Sequence, residues 1–211
     1  VEEIILEGFM KLFKKLLLIF VVTSLAISSG CAKKEKSEKE VVDHIKNMQS
    51  YQCKARIVVH NDRQDIEYQC NLFYDSKNGN RLDLGKDRIY IFKNNKTEVK
   101  DNVNNRRYTV ESQFEDLYYF TFVSEYIKLI YVNEDTKYYI EEKGGKRYQL
   151  IELTIPANNR NINKAVLYVD SESLVPHKVL IYDSNDKERV DITYSDFKAN
   201  LKLDNNLFSF Q

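Results

Sequence analysis

Residues 53–72 read Cys53-Lys-Ala-Arg-Ile-Val-Val-His60-Asn-Asp-Arg-Gln-Asp65-Ile-Glu-Tyr-Gln-Cys70-Asn-Leu72. Cys53, Ala55, Ile57 and Val59 alternate with Lys54, Arg56, Val58 and His60, a period of two that specifies a strand with one buried face. After Asn61-Asp62 the chain returns with Gln64, Ile66, Tyr68, Cys70 and Leu72 on a single face. A two-residue turn at Asn61-Asp62 sets Cys53 opposite Cys70, Ala55 opposite Tyr68 and Ile57 opposite Ile66. All these pairs share the apolar face, so the register is self-consistent. Counting inward from a hydrogen-bonded closing pair at His60 and Arg63 makes the two cysteines a non-hydrogen-bonded pair, with Cα atoms ~4.5 Å apart and within disulfide reach. Two states are open for Cys53 and Cys70: a candidate disulfide, which an oxidising compartment permits, or two reduced, buried thiols. No further Cys or His joins the pair, so a metal site is not expected there.

Outward from this hairpin, turn residues recur at Asn78-Gly79, Gly85, Asn94-Asn95, Gly144-Gly145, Asn158-Asn159 and Ser184-Asn185. Strand-like runs lie between them: 88–92, 138–140, 148–155, 165–169, 178–182 and 189–194. The pattern predicts a long antiparallel meander, so the fold class is mainly β with a few helices (α+β). Ahead of the first strand, Ser37-x-x-Glu40 is a capping-box pattern. Val41, Ile45 and Met48 follow at helical spacing, predicting an amphipathic helix of about 13 residues that ends near Tyr51.

A second capping-box match, Ser112-x-x-Glu115, interrupts the meander. Phe114, Leu117, Tyr118, Phe120, Phe122, Val123, Tyr126, Ile127, Ile130 and Tyr131 follow it. These apolar positions cover more than one helix face, which requires burial between surfaces. The segment reads as a plug against the concave side of a curved sheet, or as a movable lid or partner-docking surface. In the second reading Phe114, Leu117, Tyr118, Phe120, Phe122 and Tyr126 are the candidate residues.

The N-terminus supplies an address. Met10-Lys-Leu-Phe-Lys-Lys15 leads into the apolar run Leu16–Ile27 and then Ser28-Ser29-Gly30-Cys31. The run is about 12 residues, short of the ~20 a spanning helix needs, and its flanks are those of an export signal. Small residues directly before a cysteine resemble a bacterial lipobox, which makes Cys31 the candidate site of a covalent diacylglycerol anchor. Residues 1–30 are then a signal peptide, with 1–9, bearing Glu2, Glu3 and Glu7, an over-extended start ahead of Met10. Residues 31–40 form a charged, lipidated tether and 41–211 the folded domain. The expected location is the extracytoplasmic face of the cell membrane.

Composition narrows the function classes. The 211 residues carry 32 basic and 32 acidic side chains, and this zero net charge argues against a nucleic-acid partner. HExxH, GxSxG, GxGxxG and phosphate-loop patterns do not occur, so no catalytic residues, metal or cofactor other than the acyl anchor are expected. His44, His60 and His177 are widely spaced, and neighbouring Glu141 and Glu142 point to opposite faces of a strand.

Val169-Asp170-Ser-Glu-Ser-Leu174-Val-Pro176-His-Lys-Val179 resembles the Asp…Leu-x-Pro strand turn of the LolA/LolB-type lipoprotein-carrier superfamily. The ending, from Tyr194 through Phe197, Asn200 and Asp204 to Leu207, Phe208 and Phe210, is similar to that superfamily's ending. The resemblance implies a strongly curved, unclosed antiparallel half-barrel with helices in its concave face, spanning 41–211. In the carriers the hollow holds acyl chains, which makes a lipid or lipoprotein carrier one implied function. A lipid-anchored member more closely resembles the clostridial germination lipoproteins of the GerS type. That resemblance implies a non-catalytic protein in the forespore membrane that binds and enables a spore-cortex N-acetylmuramoyl-L-alanine amidase (CwlD type). It leaves a homodimer open.

Overall fold

A computed structural model of the protein describes residues 36–111, 116–156 and 159–210. Cys31, the tether up to residue 35, and Ser112, Phe114 and Glu115 lie outside the described residues.

The first element is helix α1 (Glu38–Lys46), and it opens on the predicted capping box. The Glu40 backbone N–H donates to Ser37 Oγ at 3.3 Å, and the Ser37 backbone N–H donates to Glu40 Oε2 at 2.7 Å. The predicted extension to Tyr51 is corrected. The helix stops at Asn47 because Ser50 already starts strand β1, whose backbone is paired on both sides. Pairing with two neighbours outweighs the few helical bonds that another turn would add.

Eleven strands follow among the described residues. The first meander is β1 (Ser50–His60), β2 (Asp65–Asp75), β3 (Gly79–Leu84), β4 (Arg88–Lys93), β5 (Lys96–Asp101) and β6 (Arg106–Glu111). Two helices come next, α2 (Asp116–Tyr119) and α3 (Val123–Val132). The second meander is β7 (Lys137–Lys143), β8 (Lys146–Thr154), β9 (Lys164–Asp170), β10 (Pro176–Tyr182) and β11 (Glu188–Ala199), closed by a 3-10 turn at Asn205–Phe208. Every pairing is antiparallel, and the order is β6-β5-β4-β3-β2-β1-β11-β10-β9-β8-β7. The two meanders meet along one seam, β1 against β11, and β6 and β7 are the edges of an unclosed sheet.

Because the edge strands are consecutive in sequence, the segment between them must cross from one edge to the other. It crosses over the inner face. Glu125 of α3 accepts a hydrogen bond from Asn80 on β3, and α3 also packs on β8. Those strands stand six places apart, roughly 29 Å on a flat sheet. A ten-residue helix is only about 15 Å long. The sheet therefore curls around the helix, as the predicted half-barrel requires.

Turn chemistry was legible. Asn94 and Asn95 both take positive φ, the conformation of a two-residue hairpin turn closing Lys93 against Lys96. At the β1–β2 hairpin the expected register is corrected. The loop is Asn61–Gln64, His60 faces Asp65, Ala55 faces Cys70 and Cys53 faces Leu72. The slip is two residues, so every side chain keeps its face while the two cysteines become diagonal neighbours. Polar contacts hold the loop open: Asp62 forms ion pairs with Lys187 at 2.8 Å and Arg189 at 3.3 Å, and His60 Nδ1 is hydrogen-bonded to Asp65 Oδ1 at 2.9 Å.

Cys53 and Cys70 are buried, free thiols. Burial, with Asp83 adding to it, pushes the Cys70 thiol up to about 12, and burial also raises Cys53 well above the ordinary thiol range. Since the thiolate is the reactive species, both are expected to resist an aromatic disulfide reagent at pH 8 in the native protein. They should react fully on unfolding in guanidinium. Rapid native labelling of either one would contradict the burial described.

After β11 the chain runs as a strap over the outer face of the first meander. Asn200 donates to Ser50 O at 2.7 Å, Asn78 Nδ2 to Asn205 Oδ1 at 3.0 Å and Arg81 Nη1 to Leu207 O at 2.9 Å. Phe208 is buried, and the Arg107 guanidinium lies over the Phe210 ring. The terminal Leu207-Phe208-Ser-Phe210 motif thus pins the tail on the outside of the sheet.

Candidate partner-binding site

The structure separates the residues of the aromatic segment by depth. Phe122 and Tyr126 are wholly buried, while Leu117, Tyr118 and Phe120 are half-buried and packed on the core. Tyr118 meets Tyr90 at 5.0 Å and Tyr68 edge-on at 6.1 Å, and Phe122 meets Phe92 edge-on at 5.6 Å. Tyr126 donates to Phe120 O at 2.5 Å, and Tyr194 of β11 donates to Thr121 O at 2.8 Å. This is the plug arrangement. Phe122 and Tyr126, with no exposed surface, offer nothing to a partner while the segment stays in place.

One polar cluster fixes the plug. Asn80 Nδ2 donates to Glu125 Oε1 at 3.1 Å, and Ser124 Oγ donates to Asn80 Oδ1 at 3.1 Å. Lys128 Nζ reaches both Glu125 oxygens at 2.8 and 2.9 Å and the Tyr119 hydroxyl at 3.2 Å. Burial followed by the Glu125 charge pushes Tyr119 up to about 12. Burial opposes the charge of Lys128, but its contacts with Glu125 outweigh that and raise it. A buried carboxylate satisfied by an amide, a hydroxyl and an ammonium locks helix to sheet.

The outer face of the second meander is different in kind. Tyr148, Leu150 and Val166 form a second buried cluster there, covered by Tyr168 and Tyr182. In the pairing grid Leu150 lies between Tyr139 and Tyr168, and Val166 faces Leu180. His177 stacks on Tyr148 with centroids 5.2 Å apart. Burial, then Lys146 and Lys178, lowers the imidazole, favouring its neutral form. Burial and then Glu141 push Tyr168 up to about 12, and burial and then Glu188 raise Tyr182. Tyr139 donates to Glu152, and Lys137 also binds that carboxylate at 2.9 Å. The result is an aromatic outer face on which Tyr168 and Tyr182 keep their hydroxyls protonated and the Lys137–Glu152 pair sits among the tyrosines.

Sequence reasoning did not single out this face, although a signal was present. Leu150-Ile151, Val166-Leu167 and Leu180-Ile181 are adjacent apolar pairs, and adjacent strand residues point to opposite sides. Such pairs demand that both faces be covered. The first meander meets that demand with the C-terminal strap; the second has its own tyrosines.

The model of the family described as Sporulation protein YdcC-like matches residues 11–208. The chain belongs to that family. No curated protein matches this YdcC-like sequence. Among solved structures, an uncharacterized conserved protein from Thermus thermophilus is similar in fold, with a TM-score of 0.54 at 10% identity over 83% of this chain and 95% of that one. The GerS lipoprotein structure from Clostridioides difficile, determined in complex with the CwlD amidase, aligns at 24% identity over 79% of this chain and 98% of that one, with a TM-score of 0.45. A LolA-superfamily protein from Nitrosomonas europaea aligns at 12% identity over 83% and 98%, with a TM-score of 0.40.

Among the described residues of this YdcC-like chain, no group of three or more His, Cys, Asp or Glu side chains is placed to hold a metal ion. No helix among them is long and apolar enough to cross a membrane. A cavity of about 460 Å³ opens beside the α3–β7 turn, lined by Asp135, Thr136, Lys137, Glu152 and Thr154. Its polar lining suits water better than an acyl chain.

Proposed function

We propose that this YdcC-like protein is a non-catalytic lipoprotein, anchored through Cys31 on the extracytoplasmic face of the membrane around the forespore. It binds a spore-cortex N-acetylmuramoyl-L-alanine amidase of the CwlD type and enables it during germination. The observation that carries the reading is the aromatic outer face of β7–β10, covered by its own tyrosines where the first meander is covered by the C-terminal tail. Rich in tyrosine and carrying the Lys137–Glu152 ion pair, it has the composition of a protein-binding surface. Membership of a sporulation family supports the setting. The partner class follows the resemblance of the sequence to GerS-type lipoproteins, of which the C. difficile protein is bound to an amidase. The candidate thiols for covalent chemistry are buried and held protonated, which supports a role in contact rather than turnover.

The test is co-elution of the full chain with the amidase of the same organism, followed by titration of the affinity. The wild-type chain is expected to form a complex. Tyr168→Ala should weaken it at least tenfold, since an interfacial tyrosine is worth about 2 kcal/mol. Tyr108→Ala, on the opposite edge strand β6, should leave it unchanged. Absence of a complex, with a stoichiometric acyl ligand extracted from the purified chain, would favour a lipid carrier instead.

A further inference from the structure

Six large apolar side chains stand exposed among the described residues: Val103, Tyr108, Tyr131, Val132, Tyr139 and Ile140. Four of these fall within one short stretch, from the end of α3 through β7. Tyr131 and Val132 occupy the last turn of α3 at 62% and 74% exposure, and Ile140 on the inner side of β7 is 48% exposed.

These residues bracket α1. At one end of that helix, Lys46 Nζ lies 4.7 Å over the Tyr131 ring and the Tyr131 hydroxyl reaches Lys46 O at 3.5 Å. Tyr138, which shares its strand face with Ile140, packs against the same core cluster as Val41, Val42 and Ile45 of α1, and burial and then the Glu38 charge at that helix's other end raise its hydroxyl. Helix α1 is also where the chain enters the domain, since its capping residue Ser37 is only six positions after Cys31. Six residues span at most about 20 Å even when fully extended. A chain held at Cys31 therefore keeps this end of the domain next to the bilayer.

We propose that Tyr131, Val132 and Ile140 are the surface on which the anchored domain rests in the headgroup layer of a phospholipid membrane. The inference rests on the Cys31 anchor of the preceding reading and adds an orientation to it. Tyrosine favours the membrane–water boundary, and Lys46 can lay its stem along the patch with its ammonium in water. Lys36, Lys39 and Lys46 face an equal number of acids in residues 36–46, and Lys137 and Lys143 lie among Glu134, Asp135, Glu141 and Glu142. These five cations and seven acids leave a small negative excess, so the contact is made by the apolar side chains and gains nothing from anionic headgroups. The outer aromatic face, on the other side of the same sheet, stays open to a partner.

The full chain, purified from membranes and reconstituted into phosphatidylcholine vesicles, tests this. A fluorophore is placed at Val132→Cys, at Ile140→Cys or at Val103→Cys, which is 69% exposed on the β5–β6 turn. The native Cys53 and Cys70 are buried and do not compete for label. A shallow spin-labelled lipid is expected to quench the first two probes at least twofold more than the third, equally in low and high salt. Equal quenching at all three positions in a co-sedimenting chain overturns the orientation while leaving the anchor standing. Failure to co-sediment with vesicles overturns both the anchor and the orientation. Lipid-independent protection of the Val132 probe by added amidase, or by raising the chain's own concentration, reassigns the patch to that occupant and overturns the proposal.

Discussion

Phe122→Ala is expected to cost about 4 kcal/mol of stability, within the ~3–5 kcal/mol typical of a buried phenylalanine reduced to alanine. Phe122 has no exposed surface, and its ring lies edge-on to Phe92 in the hollow of the sheet. It is also the joint of the plug: its N–H donates to Tyr119 O at 3.3 Å, and its carbonyl accepts from Glu125 N at 3.1 Å. Surrounded by a curled sheet on one side and α3 on the other, the site has little room to collapse into the void. For a domain of this size the loss corresponds to a fall of roughly 8–16 °C in Tm. Thermal and urea unfolding followed by far-ultraviolet circular dichroism measure it. A shift under about 1 kcal/mol would mean that the segment does not fill the interior as described.

The second large effect is at Asn80. Replacement by Leu removes the amide that donates to Glu125 and accepts from Ser124, leaving two buried polar groups short of a partner. The expected cost is about 3 kcal/mol, because a buried carboxylate is held by its donors and loses more than the bond when one is withdrawn. Adding Glu125→Leu to Asn80→Leu should recover part of the loss, because the carboxylate that needed the donor is then gone. Urea midpoints of the two single variants and the double give the coupling directly. Strict additivity would show that the amide and the carboxylate do not act as a pair.

Local rules carried the sequence reading a long way, and the failures have specific causes. Alternation in 53–59 and 64–72 fixed which side of each strand is buried, and the Ser37–Glu40 capping box fixed where the first helix begins. Asn94-Asn95 and Gly144-Gly145 marked hairpins because their backbones need positive φ. The β1–β2 register was not legible, because the loop is held by Lys187 and Arg189, more than 120 positions away. The length of α1 depended on β1 being paired by a strand at the far end of the chain. In the aromatic segment, composition announced burial; only the sheet order, with β6 and β7 as opposite edges, says what it is buried against. The outer tyrosine face was the real omission, written in adjacent apolar pairs.

The seam between β1 and β11 has a consequence for biosynthesis. Tyr51 pairs with Ala199 and Val59 with Val190, so the strand made first waits for the strand made last. Until residues 188–199 have emerged, the nascent chain offers β1 as an open hydrogen-bonding ladder backed by an apolar surface, a template for mispairing. Chains that end before β11 should therefore aggregate rather than linger as half-domains, and a holdase that shields extended segments would act on the interval before the last strand arrives.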